Sequence, residues 1–166
     1  MRWLARIVRQ ISTAFGIFAA LLVGSAVAVV CQMVVWRYVL GASTVWQTEY
    51  VTYALVAATF LGSPYVLAIR GHVNVEVVPE LLGPRLRAVL AFVADLLGLV
   101  FCSVLFWQAT EYWLEVWRAG WTTETVWALP LWIPTLPLMV GSGLLTAQYL
   151  VELVERAMPA RGELQR

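Results

Sequence analysis

Apolar residues run through this chain in four long blocks separated by short charged stretches. The uncharged blocks cover residues 10–36, 50–69, 88–110 and 125–151, the third interrupted once, by Asp95. Each reaches the roughly 20 residues that a helix needs to cross a hydrocarbon core about 30 Å thick. Inside lipid every backbone N–H and C=O must be satisfied within the segment, and a helix does that. The pattern predicts an all-α membrane protein, a single membrane domain over residues 1–166, with spans at about 10–36, 46–69, 87–118 and 130–152.

The finer pattern adds faces and ends. Small residues recur every four positions: Ser12, Gly16, Ala20, Gly24 and Ala28 in the first span, Ala54, Ala58 and Gly62 in the second, Ala94, Gly98 and Cys102 in the third. Such stripes let helix backbones approach closely in lipid, and they suit a compact bundle. Thr44 and Gln47 have capping-box spacing, so the second helix should begin near Val45, with Trp46 and Glu49 in its first turns, where the helix dipole favours a carboxylate. Trp113, Trp117 and Trp121 lie at i, i+4 and i+8, with Glu111, Glu115 and Arg118 on another face. This predicts that the third helix extends beyond the membrane with its aromatic side against the interface. Pro130 suits a first helical turn, whereas Pro134 and Pro137 should bend the outer part of the fourth helix. The segment "RGHVNVEVVPELLGPRLR" reads as an ordered, interfacial inner loop.

Composition agrees with this class. Of 166 residues, 61% are hydrophobic and 13% charged, against about 25% charged in a soluble domain; mean hydropathy is +0.79. Net charge is only +1, so nothing points to nucleic acid or to an acidic substrate. All eleven cations are arginines, and their placement orients the chain. Arg2, Arg6, Arg9, Arg70, Arg85, Arg87, Arg156, Arg161 and Arg166 fall on one side, Arg37 and Arg118 on the other. The positive-inside rule places both termini of this multi-pass protein in the cytoplasm. The N-terminus imitates a signal peptide, with Ala26-Val27-Ala28 as a cleavage site. The apolar run continues to Trp36, though, so a retained first span is expected. Eight of nine tryptophans, all but Trp3, lie at or beyond the outer ends, as lipid anchors or as contacts for a partner protein.

Candidate chemistry is sparse. Cys31 and Cys102 sit deep in apolar runs without a CxxC pair, and read as small packing residues. His72 is the only histidine, which excludes bis-histidine haem and multi-histidine zinc. At headgroup level His72 is better suited to hydrogen bonding than to ligation. Asp95 lies about 12 Å along its helix from Arg87 at 1.5 Å per residue. It has no obvious cationic partner at matching depth, and suits a structural role bonded to Arg9, Ser12, Gln148 or another subunit. No catalytic constellation, nucleotide loop or inverted repeat is present. The chain is therefore expected to be neither an enzyme nor a cofactor binder. A self-contained four-helix carrier or channel is the alternative to a helper subunit.

Four segments, in order and covering about residues 10–152, resemble the small membrane subunit of tripartite ATP-independent periplasmic (TRAP) transporters. They are "WRYVLGASTVWQTEY", Gly62, "RGHVNVEV" and "LPLWIPTLPLMVGSG". Glu76 departs from the family's usual aspartate but keeps the charge. The resemblance implies a four-span scaffold paired with a large, sodium-coupled elevator subunit that is fed by a periplasmic substrate-binding protein and imports small organic acids. It also implies structural or contact roles for Arg37, Trp46, Glu49, His72 and Glu76, to which the residue reading adds Asp95, Trp113 and Trp117. Arg37 and Glu49 flank the outer hairpin, either pairing only with each other, for at most about 1 kcal/mol, or also presenting a surface to a partner.

Overall fold

The computed structural model describes residues 2–69, 84–125 and 127–157. These described residues form four helices, α1 (Arg2–Val39), α2 (Val45–Ala68), α3 (Pro84–Ala119) and α4 (Trp132–Ala157). All four are long and apolar enough to cross a membrane. The only extended pairing among the described residues is an isolated bridge between Thr122 and Pro130. α1 has 38 residues and α3 has 36, so each is over 50 Å long at about 1.5 Å per residue and overruns the hydrocarbon core. α2 and α4, at 24 and 26 residues, are close to a single crossing.

The helices do not close into a compact bundle. α1 packs on α2, α2 on α4, and α4 on α3, with a minor contact between α1 and α4; among the described residues α3 packs on neither α1 nor α2. The order α1–α2–α4–α3 puts the two shorter helices in the middle and the two longer ones at the edges. Burial follows the same order. Only 11% of the most apolar stretch of α1 or α3 is buried, against 33% in α2. A helix apolar on all sides must bury them in protein or in lipid. For α1 and α3 most of that surface, from Ile17 to Val35 and from Val89 to Trp107, is left for lipid or another protein.

In α1 and α3 the buried rows repeat every seven residues rather than every four, whereas α2 also keeps its expected four-residue stripe, with Ala54 and Ala58 both buried. Ser12, Ala19 and Ala26 line α1, Gln47, Ala54 and Leu61 line α2, and Asp95, Cys102, Ala109 and Val116 line α3; α4 contributes Gly141 and Gln148. With 3.6 residues per turn, a four-residue repeat drifts about 40° per step, while a seven-residue repeat drifts only about 20°. The expected stripe of α1 therefore leaves the interface after Gly16: Ala20, Gly24 and Ala28 are exposed. Gly16 faces the Tyr65 ring and Gly62 faces Ala19, while Ser25 and Tyr50 share a hydrogen bond of 2.8 Å across α1 and α2. In α3, Ala94 is exposed and Asp95 takes the buried position next to it. Gly98 lies under the Tyr149 ring of α4, and Phe106 lies over Gly143.

The middle joint depends on a proline inside α2, Pro64. Proline has no N–H, so the carbonyl four residues earlier, that of Phe60, lacks its helical donor. Gly141 of α4 lies directly against that Phe60 carbonyl, so close that a Cβ there would overlap it. The missing bond and the missing side chain coincide, bringing the two backbones together at the α2–α4 crossing. Such contacts use weak Cα–H···O attraction and van der Waals packing. The prolines of the fourth span differ from expectation. Pro130 precedes α4 and pairs with Thr122. Pro134 is the third residue of α4, in the first turn, where no backbone donor is lost; only Pro137 lies inside the helix.

Candidate partner-facing surface

The α1–α2 hairpin and the α3–α4 loop lie at the same end of the molecule, because α2 and α4 both begin there. α1 stops at Gly41, whose φ of +61° lets the Ala42 N–H return to the Trp36 carbonyl at 3.3 Å. Glycine takes this left-handed turn without the Cβ penalty. α2 begins at Val45 with Thr44 as N-cap, as the spacing suggests. The capping box itself is not made: the Thr44 side chain forms no cap bond, and Thr44 φ is −122°. Gln47 is only 1% exposed, drawn instead into the α1–α2 interface, where its Oε1 has no hydrogen-bond partner.

Glu49 lies one turn into α2, beyond its first turn, on the face opposite Gln47. That face continues through Tyr53 and Phe60 toward α4. Both carboxylate oxygens of Glu49 are buried and make no hydrogen bond. The ion pair with Arg37 is therefore not formed, and Arg37 is exposed. The account in which these two residues pin the hairpin by pairing is thus corrected. By helical spacing Glu49 falls on the side of α2 that carries Phe60, which meets Gly141 of α4, while Arg37 lies in the last turn of α1. Trp46, second in α2, is exposed.

The α3–α4 loop is built rather than loose. Gly120, at φ +63°, lets the Trp121 N–H bond the Val116 carbonyl, six residues closed on one, which caps α3. The Leu131 N–H then donates to the Trp121 carbonyl at 2.9 Å, and the Thr123 N–H to the Leu129 carbonyl at 2.9 Å. Buried Thr123 also accepts from the Leu129 N–H at 3.0 Å. The helix extension expected beyond the third span is present, but its aromatic residues do not all turn to the interface. Trp113 donates its indole N–H to the Trp132 carbonyl at 3.1 Å. Trp117 packs against Trp113 with ring centroids 5.3 Å apart, and edge-on against Trp132 at 4.9 Å. This cluster ties α3 to the start of α4, while Trp117 keeps 52% of its surface exposed.

Two shallow clefts open at this end. One runs along the α3 extension, lined by Glu111, Leu114, Glu115, Arg118 and Ala119. The other is lined by Tyr53, Trp121, the polar run 122–125, Gly120 and Leu131. Glu124 is the sole charge on its wall among the described residues, and Tyr53 lies within electrostatic reach of Glu49 behind it. The sequence signal for this cleft was the polar run "WTTET" between tryptophans, which sequence reasoning passed over. Tyr53 carried no signal, since a tyrosine in an apolar helix is usually packing.

Asp95 is buried between α3 and α4, within electrostatic reach of Tyr149. Arg9 and Ser12 lie on α1, which does not touch α3, so neither is its partner. The Ser12 hydroxyl and the Gln148 Oε1 have no hydrogen-bond partner. His72 and Glu76, with the inner loop that carries them, lie outside the described residues. Among the described residues no group of three or more His, Cys, Asp or Glu side chains could hold a metal ion.

A family model matches residues 26–158, that of the DctQ component of tripartite ATP-independent periplasmic transporters. The match takes in the α1–α2 hairpin, the α3 extension and the loop before α4. No curated protein matches the chain at a significant level.

Proposed function

The chain belongs to the DctQ family of tripartite ATP-independent periplasmic transporters, a family of transporter components rather than enzymes, and on that premise we propose that it is the scaffold subunit of a sodium-coupled importer of small organic acids. In this reading it widens and steadies the immobile part of a large elevator subunit, and its hairpin end helps to dock the periplasmic substrate-binding protein. Its spans, about 10–36, 46–69, 87–118 and 130–152, lie in the bacterial inner membrane with both termini in the cytoplasm.

The observation that carries the proposal is the open order α1–α2–α4–α3. A carrier lines its path with helices that face one another and with ionisable groups directed inward. Here α3 meets only α4, so the four helices form a row rather than a ring. The long apolar edges of α1 and α3 suit a large membrane partner. The test is purification from cells that also produce the large and the periplasmic subunits. The chain should copurify with the large membrane protein, and it should transport nothing when reconstituted alone. Substrate or sodium flux through the purified chain by itself would instead establish the self-contained carrier.

Topology is tested separately. A reporter fused after Ser43 or Gly120 should be active in the periplasm, and one fused after Arg166 in the cytoplasm, as nine arginines against two require. A cytoplasmic signal from Ser43 would reverse the orientation.

A further inference from the structure

We infer that Glu49 and the cleft beside it form the receptor for an arginine side chain of the large membrane subunit, an inference that rests on the scaffold reading above. Three observations meet here. The Glu49 carboxylate has both oxygens buried and neither is hydrogen-bonded. A buried carboxylate is costly unless a cation accompanies it, so a charge left in this state points to a partner supplied from outside the chain. The chain's own cations at this end, Arg37 and Arg118, are exposed, and neither pairs with Glu49.

The geometry of the carboxylate selects the cation. Two unpartnered oxygens on one planar group match the two parallel N–H bonds of a guanidinium, which an ammonium or a hydroxyl does not reproduce. A bare metal ion fits poorly: hard cations need about six oxygen ligands, and no cluster of metal-ligating side chains stands near Glu49 among the described residues. The cleft supplies the approach. Tyr53 belongs both to its wall and to the surroundings of Glu49. Glu124 gives the wall one negative charge and no cation lines it among the described residues, while Thr122, Thr123 and Thr125 offer hydroxyls. Trp121, 45% exposed, can receive the flat face of a guanidinium. The depth selects the source. Glu49 lies one turn into α2, a helix long and apolar enough to cross a membrane, where a membrane protein packed along that helix can reach it from the side.

The experiment compares Glu49→Gln with the unaltered chain in two settings, alone in detergent and bound to the purified large subunit. Glutamine keeps the shape and removes the charge. The isolated variant should unfold at the same temperature as the unaltered chain or higher, since no internal ion pair is lost. Its affinity for the large subunit should fall on the order of thirtyfold or more, as for truncation of a buried interfacial pair. Suppressors of Glu49→Arg should then map to an Arg→Glu or Arg→Asp change in the large subunit. Unchanged affinity for Glu49→Gln overturns the inference and leaves the scaffold reading standing. Loss of stability in the isolated variant overturns it too, because the carboxylate would then serve its own chain. Suppressors confined to the binding protein place the arginine elsewhere and also refute it. If the unaltered chain fails to bind the large subunit at all, the scaffold reading falls and the inference with it.

Discussion

Gly141→Ala is expected to destabilise the purified subunit by about 1–3 kcal/mol, the range for forcing extra atoms into a packed interface. Gly141→Leu should leave no cooperatively folded subunit. The reason is local: a Cβ at position 141 meets the Phe60 carbonyl of α2, which is backbone and cannot swing aside. The consequence is global, because the α2–α4 crossing is the main link between the α1–α2 and α3–α4 pairs. Gly24→Ala provides the control. No atom lies within 4 Å of a Cβ built there, and alanine is the better helix former, so its unfolding temperature should hold or rise slightly. Thermal unfolding of the three variants in detergent, followed by tryptophan fluorescence, separates these outcomes. Equal losses for Gly141→Ala and Gly24→Ala would mean that helix propensity, not the crossing, sets the stability.

Asp95→Leu is expected to cost about 1–3 kcal/mol, the usual penalty when a buried polar group loses its partner. Asp95→Asn should be far milder and should leave transport by the assembled complex largely intact. Asp95 occupies the same seven-residue row as Cys102, Ala109 and Val116, and so it faces α4 near Tyr149 rather than lipid. Asparagine fills that place and can still form hydrogen bonds; leucine cannot. The measurement pairs unfolding of the subunit with ion-coupled uptake by the complex. If Asp95→Asn assembles normally yet uncouples uptake from the ion gradient, the carboxylate carries charge for transport and its structural role is refuted.

The Asp95 example shows where sequence reasoning reached and where it stopped. A lone acid in an apolar run must be hidden from lipid, so its burial could be read in advance. Its neighbours could not, because candidate partners stand on two other helices, Ser12 on α1 and Gln148 and Tyr149 on α4. The hairpin is similar. The start of α2 near Val45 was legible from Thr44, whereas the capping box was not formed, because burial of Gln47 between α1 and α2 removes it from the helix end. Trp113 and Trp117 were legible as one stripe on an extended helix, but their partner Trp132 is supplied by the fold.

The sequence by itself determined the class: four apolar helices, their approximate limits, the extension of α3 and the placement of arginines and tryptophans. These follow from the energetics of one segment at a time, since hydrocarbon demands internal hydrogen bonding and excludes charge whatever the neighbours are. Only the tertiary structure decided which helix lies beside which. In lipid an apolar side chain gains almost as much from a fatty-acid tail as from another helix, so hydropathy carries little signal of neighbours. The seven-residue rows, the α2–α4 crossing at Phe60 and Gly141, and the separation of Glu49 from Arg37 emerge only when two backbones are fitted together. Close packing depends on matched shapes from both surfaces, and a single segment contains only one of them.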